Sequence, residues 1–412
     1  MLRFKNDDGT NFPDWEEKSF GDFLITHSEK TSNKDSYPLY SLTIESGVQP
    51  KTERYEREFL VKKEGDNYKI VPPNAFVYNP MNLRFGALKV NHEKFSVSVS
   101  GYYDVFSLKD DSTLAFWENY LVTPRMLNYY FSIATGSLIE KLRVHYSQFV
   151  KIKKAVPSLP EQQKIADFLS TIDTVIEKQK ATVEVWEERK KGVMQKLFSQ
   201  EVRFKADDGS EFPDWEEKSF EQTFSNLNNS TFSRDCLNYE NGNVKYIHYG
   251  DILVKFGATV NVTDCIVPYV NDDLNCEKYN TLENGDVVIA DTAEDETVGK
   301  VVEISETDSQ KTISGLHTIA CRPREKFVSK YLGYFMNSDA YHNQLRPYMQ
   351  GIKVTSISKA NIKLTSILIP CLAEQQKIAD CLSALDDVSD KQKATLATWK
   401  EMKKGLLQQM FV

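Results

Sequence analysis

The chain repeats two of its own segments, and this duplication limits its fold more than any other feature. Residues 3–20 (RFKNDDGTNFPDWEEKSF) and 203–220 (RFKADDGSEFPDWEEKSF) differ at three positions. A second pair, residues 161–198 and 374–411, agrees at 23 of 38 positions. The residues between them, about 21–155 and 221–368, share no such similarity and are called here the first and second variable segments. The chain therefore consists of two copies of one frame, each with a different insert.

The longer repeated segment has the pattern of a helix. Apolar residues recur every three or four positions, as at Ile165, Leu169, Ile172 and Ile176, which predicts one apolar stripe. Each helix would have about 39 residues and a length of ~58 Å. A single-stripe helix of that length needs a partner, and the equivalent helix of the other copy is the simplest one, paired antiparallel about a pseudo-two-fold axis. The alternative is that each helix packs on its own neighbouring domain.

The rest of the chain is predicted to be mixed α/β (α+β). The DDG turn signal of residues 7–9 and 207–209 and the FPDW motif indicate a loop or hairpin that docks across a helix end. Helical patterns occur at about 123–134 and 328–345. Strand-like runs occur at residues 68–71, 95–99, 102–108, 244–247, 286–290, 298–304 and 318–322. The predicted divisions are residues 1–155, 156–200 (first spacer helix), 201–368 and 369–412 (second spacer helix).

Catalytic motifs are missing from the sequence. There is no GxGxxG, GxxxxGK[ST], HExxH or GxSxG pattern, and no [DN]PP[YF] tetrad of amino-methyltransferases. PDWEEK resembles a PD…ExK nuclease site only superficially, because its acidic groups lie on one short segment and cannot surround a metal. No histidine lies near a cysteine or another histidine, so no metal site is predicted. We therefore predict a recognition protein, not an enzyme.

Composition and charge narrow the location and the partners. The chain has 51 Lys and Arg against 59 Asp and Glu, a net charge of −8, which argues against a generally basic nucleic-acid coat. No segment is long and apolar enough to span a membrane, the first residues (MLRFKNDDGT) lack the apolar core of a signal peptide, and the six cysteines form no CxxC pair. A cytoplasmic protein with reduced thiols and no membrane contact is expected.

Nucleic-acid contacts would then have to come from local patches. Mixtures of Asn, Arg, Lys, Ser and Thr suit phosphate contact and base-edge recognition. The first variable segment carries a net charge of 18 − 15 = +3 over residues 21–155, whereas residues 221–367 carry 14 − 19 = −5. The candidate DNA-binding residues from these patches are Arg54, Arg57, Asn79, Asn82 and Arg84 in the first segment and Arg234, Arg346, Lys353, Thr355 and Ser356 in the second. For any one of them, ordinary solvated surface is the alternative.

The layout and several motifs resemble the specificity subunits of type I restriction-modification systems. PSLPEQQKIADFLSTID (157–173) and PCLAEQQKIADCLSALD (370–386) are similar to the family's lead-in and long conserved helix. YIHYGDI (246–252), ENGDVVIADTAEDETVGK (283–300) and YMQGIKVTSISKANI (348–362) resemble one type of target-recognition domain. VYNPMNLRFGALK (77–89) and FSVSVSGYYDVF (95–106) resemble another. The resemblance covers essentially the whole chain.

The resemblance implies a fold and a function. Two globular target-recognition domains would be joined by two long conserved helices in an antiparallel coiled coil, and each domain would recognise one half of a bipartite target in double-stranded DNA. The partners would be two modification (methyltransferase) subunits and restriction (translocase and nuclease) subunits. S-adenosylmethionine, ATP and magnesium would belong to those partners, so this chain would need no cofactor of its own.

The resemblance also implies site residues. Thr292 and Lys300 are candidate DNA contacts beside an acidic loop, Ala293-Glu294-Asp295, where relatives often have glycine. Candidate subunit-docking residues on the helices are Glu177, Glu184, Trp186, Glu187, Glu188 and Trp399. Two other functions stay open: a scaffold whose modules bind proteins, which the acidic second segment would favour, and a self-contained methyltransferase, against which the missing cofactor motif argues.

Overall fold

The computed structural model describes residues 2–33, 35–51, 68–138, 141–263, 267–271, 274–307, 310–351 and 354–411. The chain divides into two compact units. The first unit comprises Met1–Lys180 and Ala394–Val412, and the second comprises Ala181–Lys393. Each unit thus contains one variable segment and parts of both long helices. The predicted domain divisions kept each helix whole, and those divisions stay a prediction.

The first unit combines short antiparallel strands with helices. Its strands are β1 (Glu16–Ser19), β2 (Leu24–His27), β3 (Lys30–Thr31), β4 (Tyr40–Thr43), β5 (Gly47–Pro50), β6 (Tyr68–Val71), β7 (Phe76–Tyr78), β8 (Leu88–Val90), β9 (Val97–Val99), β10 (Asp104–Leu108) and β11 (Lys153–Val156). Its helices are α1 (Leu114–Tyr120), α2 (Pro124–Ile133), α3 (Tyr146–Phe149) and the beginning of α4 (Leu159–Phe198).

The first unit has two small sheets, with the strand orders β2-β10-β7-β8 and β3-β6-β9. One apolar cluster is shared by the two sheets, and a larger cluster packs the four-stranded sheet against the helices. Phe76 and Phe106 stack with their ring centroids 5.0 Å apart and are fully buried. Helix α2 begins at Pro124, whose missing N–H costs nothing in a first turn, and the Thr123 side chain caps it. The strands and the helix predicted for residues 68–134 are confirmed here.

The second unit has a different strand arrangement. Its strands are β12 (Glu216–Ser219), β13 (Phe224–Asn226), β14 (Leu237–Asn238), β15 (Lys245–Ile247), β16 (Thr259–Asn261), β17 (Tyr269–Val270), β18 (Val287–Ala290), β19 (Thr292–Ala293), β20 (Val301–Ser305), β21 (Thr312–Ser314), β22 (Thr318–Pro323), β23 (Thr355–Ser356) and β24 (Ser366–Ile369). Its helices are α5 (Phe220–Thr223), α6 (Tyr249–Val254), α7 (Tyr331–Met336), α8 (Asp339–Leu345), α9 (Lys359–Ile362) and the beginning of α10 (Leu372–Met410). The main sheets have the orders β13-β22-β18-β20-β16 and β14-β17-β15-β21.

The repeated segments form the same group of contacts in each unit, in which an arginine and a tryptophan side chain bind one buried glutamate; it is called here the Arg–Glu–Trp cluster. In the first, Arg3 donates from Nε and Nη2 to the two carboxylate oxygens of Glu161, at 3.1 and 2.9 Å. The Trp15 indole donates to the same carboxylate at 3.1 Å. The Glu161 side chain is fully buried, and a buried charge needs such pairing. The DDG segment therefore docks at the start of α4, which confirms its predicted place at a helix end.

The second copy reproduces these contacts. Arg203 donates to the Glu374 carboxylate at 3.1 and 2.7 Å, and the Trp215 indole donates to it at 2.9 Å. The following strands also correspond: β1 pairs with β11 and β12 with β24. Both EEKS strands are thus parts of a ladder, which agrees with the rejection of PDWEEK as a nuclease site. The sequence identity between the copies is explained by this shared packing.

Within each unit the long helices run antiparallel. In the first unit, Lys403 Nζ of α10 lies 2.6 Å from Asp173 Oδ1 of α4. In the second, Lys190 of α4 pairs with Asp386 of α10. Lys190 and Lys403 are equivalent in the repeat, as are Asp173 and Asp386, so one contact occurs twice with the copies exchanged. The predicted antiparallel pairing is confirmed, and α4 and α10 have 40 and 39 residues.

A buried carboxyl supports α7. Glu303, on β20, is 3% exposed and accepts hydrogen bonds from Lys330 N at 2.6 Å and Gly333 N at 2.9 Å. Burial outweighs these two bonds and raises the pKa of Glu303 from 4.5 to about 7. The carboxyl thus holds its proton more tightly in the folded chain than in the unfolded one.

This raised pKa predicts a pH-dependent stability. The contribution of Glu303 is fully present below pH 4.5 and is lost as the pH rises through about 7, by up to about 3 kcal/mol. Urea unfolding of the second unit between pH 4.5 and 8 should therefore show a smaller fall in stability for Glu303→Gln than for the wild type. The exposed Glu296→Gln is the matched control. An identical pH profile for Glu303→Gln and the wild type would contradict the assignment.

Candidate nucleic-acid interface

Three predicted contact residues of the second variable segment lie together on one short ladder. Thr292 of β19 pairs with Ser356 of β23, and Ala293 pairs with Thr355. The Thr292 hydroxyl donates to Asp291 Oδ1 at 2.7 Å and lies 3.3 Å from His317 Nδ1. The ladder thus presents hydroxyl groups that can donate to or accept from a base edge or a phosphate.

A row of aromatic side chains lies beside this ladder. The Tyr249 ring lies 4.7 Å from His248 and 5.3 Å from His317, between ring centroids. His317 has a φ of +56°, a left-handed conformation that sequence reasoning could not anticipate. Burial lowers the pKa of His248, whose Nδ1 accepts from Gly250 N at 3.0 Å. Sequence reasoning did not select these three residues, although the YIHYGDI motif contains two of them.

Further polar residues border the same region. Lys359 Nζ donates to Asn229 Oδ1 at 3.3 Å, and the Asn229 amide donates to Gly315 O at 3.2 Å. Arg346 is exposed in a 3₁₀ turn, and Gln350 after it forms a backbone bridge with Ser356. Lys353 lies outside the described residues. The ladder, the aromatic row and Lys359 thus lie in one polar region of the second unit, and the exposed acidic residues Glu294, Asp295 and Glu296 directly follow strand β19.

Two predicted contacts of this segment have intrachain partners. Arg234 pairs with the buried carboxylate of Asp251 through Nη1 and Nη2, at 3.0 and 3.1 Å, and also donates to the Tyr239 hydroxyl. Lys300 Nζ donates to the carbonyl of Leu253, in the last turn of α6, and to that of Phe256, just after the helix, and burial lowers the pKa of Lys300. The Arg234–Asp251 pair and the Lys300 contacts thus stabilise the fold locally, and Asp251 also pairs with Lys255 at 3.0 Å. A DNA contact for either stays a prediction.

In the first variable segment, one predicted DNA-binding residue is buried and supports a turn, and two others lie in that turn near the surface. Asn79 is buried, and its Oδ1 accepts from Met81 N at 3.0 Å, which fixes a tight turn. Asn82 is exposed at the beginning of a 3₁₀ turn, and Arg84 lies in that turn. Arg54 and Arg57 lie outside the described residues. Asn79 is therefore placed as the support on which Asn82 and Arg84 are presented.

The candidate docking residues lie along the long helices. Glu177, Glu184 and Glu188 are exposed. Glu187 Oε1 lies 2.8 Å from Lys393 Nζ within the second unit and raises the pKa of that lysine. Trp186 is half-buried under the Arg189 guanidinium, 5.1 Å from its ring centroid, and Trp399 is also half-buried. Glu187 is thus the member of this set with a described partner on the other helix.

The described part of the chain has neither a cluster of metal-ligating side chains nor a membrane-spanning helix. No three His, Cys, Asp or Glu side chains come together there as a metal site. None of the helices in these ranges combines the length and apolar character that crossing a bilayer requires.

The fold is that of a bipartite α/β protein built on a duplicated helical frame. Residues 13–185 and 213–398 match the family described as "Type I restriction modification DNA specificity domain". The chain belongs to this family. Its two matches correspond to the two copies of the frame with their inserts.

Relatives and solved structures agree with the family. The chain is similar to the type I restriction enzyme MjaVIII specificity subunit of Methanocaldococcus jannaschii, with 28% identity over 250 residues, 58% of this chain and 56% of the relative. The chain thus spans a little over half the length of that relative. The type I restriction-modification S subunit from M. genitalium has a similar fold, with a TM-score of 0.50, 13% identity and coverage of 100% of this chain and 98% of the other. A second structure, from work on assembly of the type I R-M system, has a TM-score of 0.55 at 14% identity, covering 97% and 98%.

Proposed function

We propose that the chain is the DNA sequence-specificity subunit of a type I restriction-modification complex. Each variable segment recognises one half of a bipartite target in double-stranded DNA, and the long helices set the spacer and dock two modification subunits. The observation that supports this is the duplicated Arg–Glu–Trp cluster. It occurs once in each unit and joins a different α/β module to the same repeated frame. A repeated frame suits a partner present twice, and unlike modules suit two different half-sites.

In this proposal the chain catalyses nothing itself. The sequence has no cofactor fingerprint, so methyl transfer with S-adenosylmethionine belongs to the modification subunits, and ATP- and magnesium-dependent cleavage belongs to restriction subunits. The place of action is the cytoplasm, where the DNA and these partners would be. Family membership and the absence of catalytic motifs support a recognition subunit over a self-contained methyltransferase.

Mapping methylated adenines tests the proposal. A host that carries the chain with its modification subunits should show methylation at one bipartite sequence with a fixed spacer, and the purified chain alone should transfer no labelled methyl groups. A gel shift of random duplex, with and without modification subunits, separates this function from a protein-binding scaffold. The scaffold predicts no sequence-selective retardation in either case, and that result would refute the proposal.

The two half-sites should be separable by mutation. Asn82→Ala or Arg84→Ala should alter only the half recognised by the first variable segment, and Arg346→Ala only the other half, because the segments belong to different units. Loss of one base contact costs about 1–3 kcal/mol at one position, whereas loss of a phosphate contact weakens all sequences alike. Binding to duplexes altered in one half at a time measures this. Equal effects of one variant on both halves would contradict it.

A glycine at the same position of both long helices is evidence for a surface that binds the modification subunits. Gly192 and Gly405 are equivalent, lie inside α4 and α10, and have open space where a Cβ would lie. Glycine costs a helix about 1 kcal/mol relative to alanine, and no contact described within the chain requires it at these positions. The exposed neighbours Glu188 and Gln195 are identical to Glu401 and Gln408. We infer that the two glycines allow close approach of the same surface on each of two modification subunits.

Larger side chains at these glycines should block assembly without unfolding the chain. Gly192→Leu with Gly405→Leu is expected to leave the urea midpoint unchanged or higher, because leucine favours helix, while binding of modification subunits falls at least about 100-fold through steric exclusion. Thr171→Leu with Ala384→Leu is the matched control, at exposed equivalent positions where the copies differ. Size-exclusion chromatography of the mixed subunits measures assembly. Wild-type assembly by the glycine variant would exclude this face.

A further inference from the structure

Two exposed phenylalanine rings flank one arginine on the first unit. Phe85 is 53% exposed and Phe131, on α2, is 55% exposed. The Arg84 guanidinium carbon lies 4.6 Å from the Phe85 ring centroid and 5.7 Å from that of Phe131. Exposed apolar rings that are grouped in this way mark a binding surface more often than rings that are scattered singly. The patch formed by Arg84, Phe85 and Phe131 is called here the aromatic patch.

The backbone holds Phe85 firmly in place. Phe85 ends the 3₁₀ turn Leu83–Phe85, and Gly86 follows it with a φ of +92°, a conformation that favours glycine. Phe85 N donates to Asn82 O at 2.9 Å, and Gly86 N donates to Leu83 O at 2.8 Å. Leu83 is fully buried and anchors the turn from below. Phe85 therefore projects from a supported turn and not from a loose loop.

The chemistry of the patch favours a nucleobase over a protein surface. The exposed Phe85 ring offers a flat face on which a base can stack, and the Arg84 guanidinium, whose Nε and Nη1 are buried, places positive charge beside that ring. The exposed Asn82 amide, at the beginning of the same turn, can donate to and accept from a base edge. The first variable segment also carries the positive balance of the chain, +3 over residues 21–155, which complements DNA. The amide and the positive charge of the segment are the features that favour DNA over a protein surface.

We propose that Phe85 is a wedge that inserts at one base step in or beside the half-site recognised by the first variable segment, and stacks on the unstacked base. Arg84 lies beside the wedge as its cationic support, and Phe131 backs the guanidinium. This inference rests on the proposed function. Apolar side chains inserted between base steps unstack them locally, so the wedge predicts a distorted step in the first half-site. In the second unit, no phenylalanine among the described residues is comparably exposed, so no equivalent phenylalanine wedge is expected in the second half-site.

Permanganate reactivity of thymines and 2-aminopurine fluorescence test the wedge on the mapped target bound to the full chain with its modification subunits. Wild type should give one unstacking signal in or beside the first half-site that has no counterpart in the second. Signals that occur in both halves would come from the modification subunits and serve as an internal reference. Phe85→Ala should remove only the signal that is confined to the first half-site. It should also weaken binding about 5- to 100-fold, because base stacking on an aromatic ring supplies that much affinity.

Matched variants and the wild-type behaviour decide the outcome. Phe85→Trp should keep the signal, and Phe95→Ala, at another exposed ring of the first unit, should leave it unchanged. An unchanged signal and affinity in Phe85→Ala would overturn the wedge. Loss of modification-subunit binding by Phe85→Ala, at equal chain stability, would also overturn it and assign the patch to a protein. If wild type binds its target selectively without a first-half signal, only the wedge fails; if wild type shows no selective binding, the proposed function fails too.

Discussion

A chain that ends after Gln200 is expected to form a symmetric dimer and to direct methylation to an inverted repeat of the first half-site. In the first unit, the end of α10 and the residue after it complete the core: Leu406, Met410 and Phe411 belong to the same apolar cluster as Ile165 and Leu169 of α4. The first copy contains equivalents of that α10 segment, because residues 181–198 correspond to 394–411. A second copy of the shortened chain can therefore supply what the missing α10 supplied.

The contacts needed for such a dimer already occur in reciprocal form. Asp173 pairs with Lys403, whose equivalent is Lys190, so two shortened chains would form two Asp173–Lys190 pairs, as an isologous interface requires. Leu2 N donates to Gln409 O at 2.8 Å, and its counterpart in the second unit, Val202 N, donates to Lys196 O at 3.2 Å. Lys196 and Gln409 are equivalent in the repeat, so this backbone contact also has a partner in the dimer.

Light scattering and methylation mapping would measure the result. Asp173→Lys in the shortened chain should weaken the dimer at least about tenfold, because it places two like-charge contacts in the interface. Adding Lys190→Asp should restore the dimer by reversing both pairs. A monomeric shortened chain, or a dimer indifferent to both changes, would show that the equivalence of the copies does not extend to their pairing.

The frame was more predictable from sequence than the site. The apolar stripe at three-four spacing set the long helices nearly to their observed ends, because it is uninterrupted and occurs twice. The Arg3–Glu161 contact joins residues 158 positions apart, and no local pattern contains such a distance. Two-residue strands such as β3 and β19 were also missed, since their pairing depends on the surrounding fold.

The charge pattern of the sequence identified polar patches, but it did not show which charged side chains have partners within the chain. The Arg234 side chain turned out to pair with Asp251, 17 residues later, and Lys300 caps carbonyls of α6. The row of His248, Tyr249 and His317 was missed because the left-handed backbone at His317 has no residue-type signal. No sequence pattern marks Phe85 and Phe131 as surface residues, and only their exposure in the structure distinguishes them from core phenylalanines.

Lengthening both long helices by seven residues should abolish binding to the original target. Both helices pass from one unit into the other, at Lys180 and Ala181 in α4 and at Lys393 and Ala394 in α10. Insertions at these two points, made by repeating residues 174–180 and 387–393, keep the apolar stripe in register because seven residues are about two helical turns. Each helix becomes about 10 Å longer, which equals ~3 base pairs at 3.4 Å each.

The expected outcome follows from treating the paired helices as a ruler. A helix of ~60 Å spans at most about 17 base pairs, so the split target should fit within that length with a fixed spacer. In the lengthened chain, binding to the original target should fall at least about 100-fold, because one half-site loses its base contacts. Recovered binding should require a spacer about three base pairs longer, and it should stay weaker because three base pairs also rotate the second half-site by roughly 100° about the DNA axis.

Length must be separated from sequence in this experiment. A chain in which residues 174–180 and 387–393 are exchanged between the helices has the changed sequence without the added length, and it should keep the original spacer. Methylation mapping gives the preferred spacer of each chain directly, and urea unfolding checks that each one is folded. If the lengthened chain folds, assembles with its modification subunits and still prefers the original spacer, then the helices do not set the distance between half-sites, and the variable segments must be positioned by the modification subunits.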